Sequence, residues 1–108
     1  MAEKEIASIT AAPGPQPGQK HRSSGDFPTD SAPPGTTSLR FSVSNTPYAA
    51  DVRFEVWRDV SAGRDKTIWK DLKDGSIESY ESYRQLYIVS DKDTTHDHTY
   101  TVTVYAIY

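Results

Sequence analysis

Thr99-Tyr100-Thr101-Val102-Thr103-Val104-Tyr105-Ala106 decides the reading of this chain. Tyr100, Val102, Val104 and Ala106 alternate with Thr99, Thr101, Thr103 and Tyr105. Successive side chains of a strand point to opposite faces, so this pattern buries one face of a β-strand. The run is rich in β-branched and aromatic residues, which suit a pleated surface. It carries no proline and no charge, so a bare edge here would invite pairing with another strand. We expect it either inside a sheet of this domain or paired with a neighbouring chain.

Moving upstream, the same period recurs. Leu39, Phe41 and Val43 alternate with Arg40, Ser42 and Ser44, and Asn45-Thr46-Pro47 breaks the run. Val52, Phe54 and Val56 alternate with Arg53, Glu55 and Trp57. Ser61-Ala62-Gly63-Arg64-Asp65 reads as a turn. Ile68, Lys70 and Leu72 then oppose Thr67, Trp69 and Asp71, and Asp74-Gly75 signals a hairpin. Ser76–Ser90 fits two periods. Tyr80, Tyr83 and Tyr87 have helical spacing, whereas Leu86, Ile88 and Ser90 have strand spacing. The β-formers favour a strand over 83–89, with a loop or short helical turn before it.

The composition changes near Ser38. Residues 1–37 hold six of the seven prolines, four of the six glycines and one of the 12 aromatics, Phe27. Such a segment has little apolar surface to offset the entropy of ordering it. We expect an extended or disordered N-terminal arm over 1–37, followed by an all-β sandwich domain over 38–108. If a partner orders the arm, Ile6, Ile9 and Phe27 are its apolar anchors. The domain then has 71 residues with 9 basic and 11 acidic side chains, a well-mixed surface.

Asp97-His98-Thr99-Tyr100-Thr101-Val102-Thr103-Val104-Tyr105-Ala106 resembles the penultimate strand of a fibronectin type III or related immunoglobulin-like domain. The resemblance implies a small immunoglobulin-like β-sandwich in which Tyr100 hydrogen-bonds back across a corner. Val52-Arg53-Phe54-Glu55-Val56-Trp57-Arg58 resembles that family's third strand. The chain departs from the family in having Phe41 and no tryptophan on the second strand, and in lacking a strand after the tyrosine strand. A seven-stranded sandwich takes about 100 residues. About five strands are countable over 38–108, so one or two must come from elsewhere. Prolines restrict the arm to supplying short stretches.

Composition excludes several kinds of chemistry. With no cysteine there is no disulfide, thiolate metal site or thiol nucleophile. A net charge of -3 argues against a nucleic-acid partner, which needs clustered Lys and Arg. No apolar run approaches the ~18 residues of a membrane span. Met1-Ala2-Glu3-Lys4-Glu5 carries acids where a secretion signal has basic and then apolar residues. There is no Gly-x-Ser-x-Gly elbow, phosphate-cradling loop or dinucleotide fingerprint, so we expect no enzyme and no cofactor.

Two clusters remain. His96 and His98 share a strand face but supply half of a zinc shell, so a solvated loop is the ordinary reading and a metal site the remote one. Trp57 and Trp69 fall out of phase with the core residues of their runs, and with Tyr80, Tyr83 and Tyr87 they could form an exposed aromatic surface. Alternatively, the tryptophans cover the second face of a packed sheet. Protein interfaces favour such residues, and sugars stack on them.

The expected function is non-enzymatic: a structural or assembly module docking on a repetitive surface, as a virion decoration protein or appendage subunit does. Its partners would be other protein subunits, in a homo-oligomer or larger assembly, at an extracellular or virion surface. The alternative is a carbohydrate-binding adhesion module using exposed aromatics on a glycan.

Overall fold

In a computed structural model, residues 2–12, 20–91 and 98–108 are described. They form two four-stranded antiparallel sheets packed as a sandwich. The strands are β1 (Glu3–Ala11), β2 (His21–Arg22), β3 (Ser38–Ser44), β4 (Phe54–Arg58), β5 (Lys66–Leu72), β6 (Ile77–Ser79), β7 (Leu86–Ser90) and β8 (Tyr100–Ile107). One sheet, A, has the order β1-β8-β3-β6, and the other, B, has β2-β7-β4-β5. Among the described residues the only helical piece is a 3-10 turn, Ala49–Asp51. No helix there is long and apolar enough to cross a membrane.

The alternation read from β8 holds. Tyr100, Val102, Val104 and Ala106 are at most 1% exposed. Leu39, Phe41 and Val43 lie beside them on the same face from β3, and Phe54 and Val56 oppose them from β4. Phe41 lies at the centre, its ring edge-on to Phe54 at 6.1 Å and to Trp69 at 5.7 Å. β8 is no edge strand, since β3 pairs with it on one side and β1 on the other.

The expected boundary at Ser38 does not mark the limit of the sandwich. Glu3–Ala11 pairs with β8 in the same chain, with a register shift between Glu5 and Ala7. Ala11 is fully buried, and Ile6, Ala7 and Ile9 pack against the core. Arg40 clamps this strand from β3, donating to both carboxylate oxygens of Glu3 at 2.9 and 3.0 Å while lying 4.4 Å from the Tyr105 ring. Phe27 is equally internal. It exchanges backbone hydrogen bonds with Leu86 and is 4% exposed. The missing strands therefore come from upstream of Ser38. Residues 13–19, which hold Pro13, Pro15 and Pro17, lie outside the described residues.

Thr29 fastens the next segment. Its hydroxyl donates to the Glu81 carbonyl at 2.7 Å and accepts from the Tyr83 amide at 2.9 Å. Its carbonyl accepts from the Tyr80 hydroxyl at 3.1 Å. Between Tyr80 and Gln85 the chain is therefore an irregular loop held by side-chain bonds, and the strand begins at Leu86 rather than at 83.

Trp69 overturns one expectation. Period-two alternation sets it opposite Leu72, yet both are buried. Phe54 pairs with Leu72 and Val56 with Trp69, so two steps on β4 match three on β5. The extra residue is a β-bulge at Asp71, whose φ is 55°. Finally, the consecutive strands β7 and β8 lie in opposite sheets.

Candidate functional site

The five aromatics expected to share a surface are divided by the sheets. Trp69 is in the core, and Tyr83 meets it edge-on at 6.3 Å. Tyr80 packs against the same cluster. Only Trp57 and Tyr87, register partners on β4 and β7, lie on the outer face of sheet B. Ile6, Ile9 and Phe27 face the chain's own core.

On that outer face Lys20, Arg22, Trp57, Tyr87 and Val89 line a depression of about 280 Å³. Its floor is mainly apolar and its rim is charged. Glu55 sits beneath the rim with its side chain 3% exposed. It accepts from Lys20 Nζ at 2.7 Å and from the Trp57 indole at 2.9 Å. Burial pushes the Glu55 carboxyl up, but those two hydrogen bonds outweigh it and hold the group below its usual range. The Arg22 guanidinium lies 4.1 Å from the Tyr87 ring centroid and donates to Asp26 at 2.8 Å and Asp59 at 3.5 Å. The Tyr87 hydroxyl donates to Asp65 at 2.6 Å. That bond, followed by one from the Val60 amide, holds the Asp65 carboxyl below its usual range. Both cations of the rim are therefore occupied by acids of the same chain.

Beside this depression, beyond the Arg22–Asp59 pair, a second cleft of about 450 Å³ opens where β4 ends and β7 begins. Asp30, Arg58, Asp59, Tyr83, Arg84 and Gln85 line it. The Asp59 amide donates to the Gln85 carbonyl at 2.9 Å, which closes the floor. Arg58 lies 5.6 Å from the Tyr83 ring centroid, within cation–π range. Tyr83 donates to Glu81, and this bond, more than burial, raises its hydroxyl. Burial, followed by the neighbouring Asp59 carboxylate, lifts Asp26 above its usual range against the pull of Arg22.

His98 is exposed, its ring tilted against Tyr48 at 5.0 Å, and its expected companion His96 lies outside the described residues. Among the described residues no three His, Cys, Asp or Glu side chains converge on a metal position. Tyr100 opens β8, but its hydroxyl meets the side chain of Ser90 at 2.7 Å rather than a backbone corner.

Sequence reasoning missed the cleft because Asp30, Arg58 and Arg84 come from three separated segments: a connection, the end of β4 and the loop before β7. The available signal was the run Ser82-Tyr83-Arg84-Gln85, mostly polar ahead of an apolar strand. No family model, curated protein or solved structure matches this chain. The fold defines its class, a small all-β two-sheet sandwich protein.

Proposed function

We propose that this protein is a non-enzymatic assembly module that docks on a repetitive protein surface, extracellular or on a virion, and that β1 is its exchangeable element. One observation carries the reading. β1 is a whole edge strand that fills the core with Ala11, Ile6, Ala7 and Ile9, and among the described residues it pairs with β8 alone. The sequence joining it to the rest is Ala12-Pro13-Gly14-Pro15-Gln16-Pro17-Gly18-Gln19. Proline-rich linkers extend and act as semi-rigid spacers. The same register on β8 is available to β1 of a second copy, and exchanging an identical element is a low-cost route to oligomers. The arm then tethers neighbours by completing their sandwiches rather than by lying along their surfaces. Aromatic stacking on a glycan is less favoured, because only Trp57 and Tyr87 remain on an outer face.

The absence of cysteine makes the test clean. Thr103 turns its backbone groups toward β3, so Ser8 and Thr103 face each other as a non-hydrogen-bonded pair. Such pairs place their Cα atoms about 4.5 Å apart, within disulfide range. Ser8→Cys and Thr103→Cys variants, mixed and oxidised, should give a heterodimer on a non-reducing gel, and neither variant alone should match its yield. Only monomers at every concentration up to millimolar would remove the proposal.

A further inference from the structure

The two depressions of sheet B differ in what their cations are doing. Lys20 and Arg22 are neutralised by Glu55, Asp26 and Asp59. The Arg58 guanidinium makes no hydrogen bond or ion pair among the described residues and lies over the Tyr83 ring at 5.6 Å. Arg84 is 92% exposed, and its one ion pair, to Asp30, is at 4.0 Å. Exposed pairs of that kind contribute almost nothing to stability. Two guanidinium forks with unused donors therefore open into one cleft. Each fork matches a carboxylate in geometry as well as charge.

The remaining lining narrows the ligand. Asp30 and Asp59 stand on the same walls as the arginines. They repel a polyanion such as nucleic acid or a polysulfate, and an acidic peptide would bring further carboxylates against them. They would instead accept hydrogen bonds from neutral O–H donors placed around a single anion. Gln85 adds an amide with both a donor and an acceptor. Its volume, about 450 Å³, lies in the range of small-ligand sites. From this balance we propose that the cleft binds a carboxylate-bearing saccharide. Arg58 and Arg84 take the carboxylate, while Asp30, Asp59 and Gln85 take ring hydroxyls. The Tyr83 ring backs Arg58 at cation–π distance. The site shares no residue with β1 and stands or falls apart from strand exchange.

The test is a titration of the full chain, followed by calorimetry and by amide shifts of Asp30 and Arg84. The probes are an oligogalacturonate, its neutral galactose counterpart, a heparin fragment and a glutamate-rich peptide. The oligogalacturonate should bind and the neutral sugar should not. Arg58→Gln with Arg84→Gln should weaken binding roughly ten- to hundredfold, the range for lost hydrogen bonds to a charged group. An unchanged thermal midpoint in that variant shows that the fold is intact. Equal binding of the neutral sugar, no binding of the uronate, or uronate binding that the double arginine variant leaves unchanged overturns the assignment. Stronger binding of heparin or of the acidic peptide overturns it too, in favour of a polyanion or protein site.

Discussion

The hydroxyl of Tyr100 and that of Ser90 meet at 2.7 Å in the buried space between the sheets. Tyr100 belongs to β8 in sheet A and Ser90 to β7 in sheet B. Ser90 is also bonded to the Ser23 hydroxyl at 2.6 Å, so three hydroxyls run in a chain from one sheet into the other. Burial pushes the Tyr100 hydroxyl up to about 12, against the pull of Ser90. Tyr87 is also raised to about 12, first by burial and then by its bond to Asp65.

Alkaline stability should reflect these two groups. Between about pH 10 and 12 the unfolded chain loses the two tyrosine protons while the folded chain keeps them. Stability is therefore full below about pH 10 and falls as the pH rises toward 12, by roughly 2 kcal/mol for each tyrosine. Urea unfolding at pH 8, 10 and 11 gives the slope. Tyr100→Phe should flatten it and also cost about 1 kcal/mol at pH 8 from the broken hydroxyl chain. A slope unaltered in both Tyr100→Phe and Tyr87→Phe would contradict the assignment.

At the acid end the group to watch is Glu55. Its carboxyl is held below its usual range, so its contribution is present above about pH 4.5 and is lost as the pH falls through the folded value. Lys20→Met should destabilise the protein by about 1–3 kcal/mol at pH 7, since it leaves a buried carboxylate with the Trp57 indole alone. The double variant Lys20→Met with Glu55→Met should recover most of that loss. Chemical denaturation of the four proteins closes the cycle, and strict additivity would count against a coupled pair.

Asp71 tests the bulge that turns Trp69 inward. A β-branched residue resists its positive φ, so Asp71→Val should cost about 1–2 kcal/mol. Asp71→Gly should be close to neutral, because glycine adopts that conformation freely. If valine is tolerated as well as glycine, the bulge is elsewhere. Thermal scans suffice to tell.

Thr29 should behave as a core residue although it is polar. Its hydroxyl is both donor and acceptor in a fully buried position. Thr29→Val preserves shape but strands the Glu81 carbonyl and the Tyr83 amide, at a cost of roughly 2–3 kcal/mol. Thr29→Ser keeps the hydroxyl and should lose less than half as much. Hydrogen exchange at the Tyr83 amide should accelerate in the valine variant alone.

β8 and β3 were legible because no bulge interrupts their pairing, so every second residue from Tyr100 to Ala106 and from Leu39 to Val43 faces the core. β1 was not, for a definite reason. The shift between Glu5 and Ala7 breaks its period, so Ile6 and Ile9 stand three apart, and the inward Ala7 and Ala11 give little apolar signal. The same device hid Trp69, since it and Leu72 are three apart and both buried. Tyr80, Tyr83 and Tyr87 imitate a helical stripe only because a loop held by Thr29 separates the first two from the strand bearing the third. The cleft was illegible because its charges converge only when the connections are folded.

The pairing of β1 with β8 also has a consequence for synthesis. Glu3 is partnered by Ile107, so the first and last strands of sheet A are bonded side by side. β8 is the strand against which both β1 and β3 must form, and it is the last of the four to leave the ribosome. β1 therefore emerges with no mate in sheet A, and β3 has only the three-residue β6 to pair with until β8 is made. Contacts so distant in sequence make folding slow, on the order of milliseconds to seconds for sandwich topologies. Until β8 arrives, the nascent chain presents a solitary strand that β8 of a finished neighbour could capture.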